Sequence, residues 1–443
     1  MSLLTTFGEL SKYKVNGDRL WDTLMEHGKI GQTPKGGVCR LALTELDKQG
    51  RDLFIKWAKE AGCSIRIDSI GNIFAKRPGG NDSLPSILVG SHIDTQPTGG
   101  KFDGNYGVLA GLEVIRTLND LNIKTNAPIE VAAWTNEEGS RFVPVMMGSG
   151  VFSGAVSLED AWAAEDTAGI SVREALTDIN YLGEEKPGEV DFSAYFEVHI
   201  EQGPVLEDSE TLIGVVPGVL GIRWFECTVV GTEAHAGPTP MRLRRDALQV
   251  STKIMQQVVE CTKQYGEEAR GTVGMVEVYP NSRNVIPGSV TFSIDLRNIN
   301  DELVDAMAAE ILSYANALQD ETGLSITINP TSSYPAQQFD SDCIKEIEAA
   351  TKVLSYSQMR VTSGAGHDAV YMARLAPTGM IFVPCENGIS HNEAENAKLE
   401  HLEAGCNVLL QVVLNRAGVT SGLAHQSLKN TQPDRVISDQ TIL

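Results

Sequence analysis

Cysteine is scarce and scattered. Seven residues (Cys39, Cys63, Cys227, Cys261, Cys343, Cys385 and Cys406) occur in 443, an odd number with no C-x-x-C pair. That usage argues against a disulfide framework and a cysteine-built zinc site, and it fits reduced thiols in a cytoplasm. Long apolar runs are missing as well: no stretch of the chain approaches the roughly 18 residues of a membrane span. The first residues, MSLLTTFGELSKYKVNGDRL, lack a basic start followed by an apolar block, so no signal peptide is expected. Basic residues are outnumbered, 36 against 58 acidic, for a net charge of −22. A surface of that sign repels phosphate backbones and anionic lipid, which argues against nucleic-acid and membrane partners. Two catalytic signatures are also absent. No G-x-S-x-G elbow supports a serine nucleophile, and no G-x-G-x-x-G follows a strand to cradle a dinucleotide.

What is present is an ordinary globular composition, 42% apolar and 21% charged, on a chain too long for one compact core. In the first two hundred residues helix-like and strand-like segments alternate. ELDKQGRDLFIKWAKEA has apolar residues at helical spacing; SIRID, NIFAKRP and ILVGS read as strands; GVLAGLEVIRTLNDLN reads as a helix and IEVAAW as a strand. Such alternation predicts an α/β layer structure with a mixed, largely parallel sheet and helices on both faces. From Gly214 the order changes to strand, helix, two strands, helix, strand (GIRWFECTVVG to SITINP), which is a ferredoxin-like βαββαβ unit. Beyond residue 333 the α/β rhythm resumes. The expected division is therefore a discontinuous catalytic domain, residues 1–213 and 333–443, interrupted by a smaller domain at 214–332. The last twenty residues are polar and are expected to form a loose tail.

Four loops that follow predicted strands carry His or carboxylate: His92, Asp94 and Asp103 after ILVGS; Glu137 and Glu138 after IEVAAW; His199 after SAYFEV; His391 after MIFVP. Ligands of open α/β sheets gather at the carboxyl ends of strands, so the four loops are expected to converge. Imidazole with carboxylate and no thiolate suits zinc, and also manganese, cobalt or nickel. Two divalent ions are the economical reading. Asp103 bridges them, His92 and His199 complete one, and Glu138 and His391 the other. Glu137 points away from Glu138 on extended backbone and is left free to move a proton. Asp94, two residues past His92, is placed to orient that imidazole.

GSHIDTQPTGGKFDG, NEEGSRF, HIEQGP, AHAGPTP, SGAGHDA and ISHNEAE resemble, in this order, the dinuclear amidohydrolase branch of the M20 metallopeptidase clan. That branch includes N-carbamoyl-L-amino acid hydrolases, yeast-type β-ureidopropionase and allantoate amidohydrolase. The resemblance spans about residues 15 to 418. It implies cleavage of a carbamoyl C–N bond, with allantoate or ureidoglycolate hydrolysis and, further off, di- or aminopeptidase activity as alternatives. It implies the same ligand set with Glu137 as general base, and an inserted domain acting as lid and homodimer interface. It also implies that His235 stabilises the oxyanion and that Asn284 and Arg297 hold the substrate carboxylate. The backbone near Gly366 assists, with Gly364 an equal candidate; His367 is expected to be structural. Arg223 resembles the allantoate-cleaving members, but an alternating strand favours a surface position.

Overall fold

The computed structural model describes residues 3–420. The expected loose tail lies outside the described residues. The strands of the first half are β1 (Ser64–Ile67), β2 (Ile73–Arg77), β3 (Ser86–His92), β4 (Ile129–Trp134), β5 (Phe192–Ile200) and β6 (Ile213–Val216). The second layer contributes β7 (Gly221–Val230), β8 (Arg270–Thr272), β9 (Val276–Tyr279), β10 (Ser289–Asn298) and β11 (Ser325–Tyr334). The chain then returns with β12 (Gln358–Arg360) and β13 (Thr378–Val383).

The main sheet has eight strands in the order β1-β2-β4-β3-β5-β13-β6-β12. Its four central strands, β4, β3, β5 and β13, run parallel to one another. In β3, β4 and β13 every residue is buried, as continuous apolar runs covered on both faces require. One face is packed by the helices Asn105–Asp120 and Leu399–Ala417, whose Gly111 and Gly405 lie against Val89, Val131, Val198 and Val383. On the other face Trp134 packs edge to face with Phe74 and Phe152, and the short helix Met147–Phe152 follows the β4 loop. The parallel centre has one consequence for function. The loops after β3, β4, β5 and β13 all leave from the same edge of the sheet.

The second layer is an antiparallel sheet, β8-β10-β7-β11, with β9 also on β10. Burial in β10 alternates strictly, so one face (Val290, Phe292, Ile294, Leu296) meets the helices Ala247–Thr262 and Asp301–Thr322 in a core of its own. Asp246 and Asn300 start those helices by accepting backbone N–H groups. Gly218–Val219 pairs with Gln337–Gln338 where the chain leaves and re-enters the main layer, so the two crossings run side by side.

The sequence reads GTVGMVEVYP as one strand; it forms two, β8 and β9. Between them the Gly274 and Met275 N–H groups donate to the Ser293 hydroxyl, which interrupts the ladder. β6 and β12 extend the main sheet and carry too few residues to show a period in the sequence. The expected break at residue 214 falls inside β6.

Candidate metal centre

The loops after the four central strands meet around Asp103. His199 Nε2 lies 3.2 Å and His92 Nε2 3.6 Å from Asp103 Oδ1, while His391 Nε2 lies 3.3 Å from Oδ2. Glu138 Oε2 is 3.4 Å from the same His391 nitrogen. The side chains thus divide into two groups able to hold a cation, His92–Asp103–His199 and Asp103–Glu138–His391, sharing one carboxylate. Glu137 belongs to neither; its Oε2 stands 3.5 Å from His92 Nε2.

The backbone sets this geometry. His92 Nδ1 donates to the Asp94 carbonyl at 3.0 Å and His199 Nδ1 to the Ile200 carbonyl at 2.8 Å. With Nδ1 so committed, each ring turns its Nε2 toward Asp103. Gly104 sits against the His92 ring with φ +66°, where a Cβ would come within 2.3 Å of ring atoms, so no other residue fits there. Asn136, Met146, Gln202 and His391, all around the cleft, have φ between 50° and 59°. Left-handed backbone at non-glycine residues costs on the order of 1 kcal/mol each and gathers at functional sites.

Charge makes the same case. Burial opposes ionisation of Asp103, but hydrogen bonds with His199, His391 and His92 hold it well below the carboxylate range. Glu138 is pushed up to about 7 by burial and then by Asp103. Glu137 is raised well above its ordinary value by burial, with Asp368, Glu138 and Asp94 adding repulsion. His391 rises to about 9 through its hydrogen bond with Asp103. Carboxylates crowded in low dielectric call for positive charge, which protons on the histidines or bound cations supply. An all-imidazole and carboxylate donor set in two facing halves fits a pair of divalent ions.

Asp94 meets the His92 imidazole through its backbone. Its carbonyl, not its carboxylate, orients His92; the carboxylate oxygen is 3.9 Å from Nδ1. The carboxylate instead accepts the Glu137 and Glu138 N–H groups at 3.3 and 3.2 Å, bracing the turn that separates base from ligand. Gly366 lines the cleft of about 130 Å³ over the ligands, together with Val145, Met146 and Gln202. Gly364 does not; its carbonyl accepts from Arg297 Nη1 at 2.6 Å. Arg297 is otherwise clamped by Asp295. His235 and Asn284 lie side by side on a two-stranded ribbon of the second layer, where Ala236 N–H donates to the Asn284 carbonyl, but neither lines the cleft. Arg223 is taken up by Asp301, Asp305 and the Tyr334 carbonyl. His367 is buried, with Nε2 at 2.9 Å from the Ser363 hydroxyl and its ring edge-on to His199.

Four residues around the ligands were not anticipated. Gln202 Nε2 donates to Asp103 Oδ2 at 2.8 Å, and Gln96 Nε2 to Glu138 Oε2 at 2.7 Å. Glu395 accepts the Phe102 and Asp103 N–H groups and the Ser390 hydroxyl, tying the Asp103 loop to the His391 loop. Glu197, behind His199, accepts from Ser91, Tyr195 and the Ala369 N–H. Gln96, Gln202 and Glu395 lie inside the sequence motifs quoted above, so their position, though not their residue type, was a signal.

A cluster of this composition, on loops at one edge of the parallel strands, is a candidate metal centre of an α/β protein. The profile of peptidase family M20/M25/M40 matches residues 88–415, and the chain belongs to that family. It is 46% identical to an N-carbamoyl-L-amino-acid amidohydrolase of Rhizobium meliloti over 92% of this chain and 98% of that protein. An allantoate amidohydrolase of Bacillus subtilis (strain 168) is 32% identical over 88% of this chain and 95% of its own length. The crystal structure of an amidase of the hydantoinase/carbamoylase family from Burkholderia multivorans superposes with TM-score 0.90 at 50% identity, covering 92% of this chain and 99% of that one.

Proposed function

We propose that the chain is a dinuclear-metal amidohydrolase that cleaves N-carbamoyl amino acids, N-carbamoyl-L-amino acids or N-carbamoyl-β-alanine, with water to the amino acid, carbon dioxide and ammonia. The observation that carries this reading is Asp103, one oxygen toward each of two ligand groups, with Glu137 free beside them. His92 and His199 would hold one ion and Glu138 and His391 the other, zinc by donor type, with manganese, cobalt or nickel accepted by the same set. The ions, when bound, supply Lewis acidity that polarises the carbamoyl carbonyl and acidifies water. Glu137 takes the proton from the attacking water and gives it to the departing nitrogen; its burial favours holding that proton between the two transfers. Asp94 keeps Glu137 aimed through its N–H.

The second layer, residues 214–332 in the sequence-based division, acts as lid and homodimer interface. The paired crossings at Gly218–Val219 and Gln337–Gln338 suit a hinge, and Trp224, Val276 and Tyr279 are exposed on this layer. Closure or dimer contact delivers His235 to the developing oxyanion, and Asn284 and Arg297 to the substrate carboxylate. The seven unpaired cysteines support a cytoplasmic site of action, and among the described residues no helix is long and apolar enough to cross a membrane.

The test is ammonia release from N-carbamoyl-β-alanine, several N-carbamoyl-L-amino acids, allantoate and a dipeptide, with and without added Mn²⁺. Metal-dependent release from a carbamoyl compound is expected. Release from allantoate alone moves the assignment to the allantoate-cleaving branch, and inertness toward every carbamoyl compound overturns it.

A further inference from the structure

Arg40 is wholly buried and has no carboxylate among its hydrogen-bond partners. All five of its side-chain N–H groups are nevertheless used. Nε donates to the Ile93 carbonyl at 2.8 Å, Nη1 to the carbonyls of His27 and Ile30 at 3.1 and 2.9 Å, and Nη2 to His27 Nδ1 at 3.2 Å and to Asn105 Oδ1. Asn105 in turn donates from Nδ2 to the Asp103 carbonyl at 3.0 Å. The Arg40 backbone exchanges hydrogen bonds with Thr95 on the far side of Asp94. Both ends of the loop that separates His92 from Asp103 are thus fastened to one guanidinium.

The surroundings are shaped for it. Gly50 lies in the middle of the helix Glu45–Glu60, where glycine is unfavourable, and a Cβ there would meet Arg40 Cδ at 3.0 Å and His27 Nε2 at 3.3 Å. Burial lowers the Arg40 pKa to about 10, with Asp47 and Asp94 opposing, so the group is a cation at neutral pH. Burying a charge without a contacting counter-ion is costly and needs a compensating role. Here the cation gathers three backbone carbonyls away from the cleft and lies behind an anionic ligand cluster.

We infer that Arg40 is a positioning residue of the metal centre, holding the His92–Asp103 loop at the separation the ions require whether or not they are bound. This rests on the dinuclear reading above. A lysine cannot replace it, since an ammonium has three donors and no planar fork.

The experiment titrates Co²⁺ into chelator-treated full-length protein, wild type, Arg40→Lys, Asn105→Ala and, as a metal-loss control, His92→Ala. Affinity is read by chelator competition, coordination by the visible absorption spectrum, and folding by thermal unfolding of the metal-free form. Arg40→Lys and Asn105→Ala are expected to bind roughly 10- to 100-fold more weakly, the usual effect of removing a partner of the ligands, with an altered Co²⁺ spectrum. Asn105→Ala, which removes the connection from Arg40 to Asp103 and keeps the Arg40 bond to the Ile93 carbonyl, decides the matter if Arg40→Lys does not fold. Wild-type affinity and spectrum in folded Asn105→Ala overturn the inference while leaving the dinuclear reading intact. A wild-type protein that takes up no Co²⁺ overturns both.

Discussion

The two layers treat their candidate functional residues in opposite ways. In the main layer His92, Asp103, Glu137, Glu138 and His199 are buried, and most have a second partner fixing them: a carbonyl for each imidazole, Gln202 and Glu395 around Asp103, Gln96 on Glu138. In the second layer His235 is exposed, Asn284 is held through its backbone, and Arg297 is engaged by Asp295 and the Gly364 carbonyl. Ion ligands need preset geometry, because a misplaced carboxylate in low dielectric has no use. Groups that grip a substrate are better assembled once it has entered, when closure expels water. On the proposed function, the contrast is that between a prebuilt centre and a grip that forms later.

The strongest probe of that division is Glu137→Gln. Turnover in the ammonia assay should fall by about 10²- to 10⁴-fold with metal content by elemental analysis unchanged. Unimpaired turnover would remove Glu137 from proton transfer. Next, His235→Ala should lower kcat/KM by about 10²- to 10³-fold, as loss of an oxyanion donor does, again with full metal content. A variant that loses metal would show that the layers are not independent. Within the main layer the two ligand groups differ, since His391 leaves 52% of its side chain exposed and His92 only 3%. Timed chelation followed by elemental analysis should therefore remove one equivalent several-fold faster than the other, and His391→Ala should abolish the fast phase. Release in a single phase would make the groups equivalent.

The smallest effect concerns stability. Burial, and then the Arg40 charge, hold His27 well below its ordinary value of 6.5. The folded chain keeps it neutral, while the unfolded chain binds a proton as pH falls through 6.5. Its contribution is complete above that value and is lost below it, at up to about 1.4 kcal/mol per pH unit. Denaturant midpoints of wild type and His27→Gln between pH 7.5 and 5 should converge on the acid side. Parallel curves would remove His27 from the acid response.

Much of this centre was legible in the residues. Ile87, Leu88 and Val89 announce a strand buried on both faces, and His92 is where such a strand must end. The same holds for Trp134 before Glu137 and Val383 before His391. What could not be read is whatever depends on contacts far apart in the chain. Glu395 accepts the Phe102 N–H across 293 positions, and Arg40 reaches the Ile93 carbonyl across 53, and no local pattern in the sequence says which distant group either one meets. For Asp94 the spacing puts the residue near the His92 imidazole but does not tell whether carbonyl or carboxylate faces it; the carbonyl does. The short helices Leu158–Ala163 and Val172–Asp178 complete fewer than two turns, too few to show an apolar stripe.

Asp103 is a single rigid plane with an oxygen committed to each side. Twisting that plane to suit one pair of neighbours pulls an oxygen away from the other pair. An ion on one side, as proposed, would set the torsion that the other side meets, so the two sides are expected to be coupled through one rotatable bond.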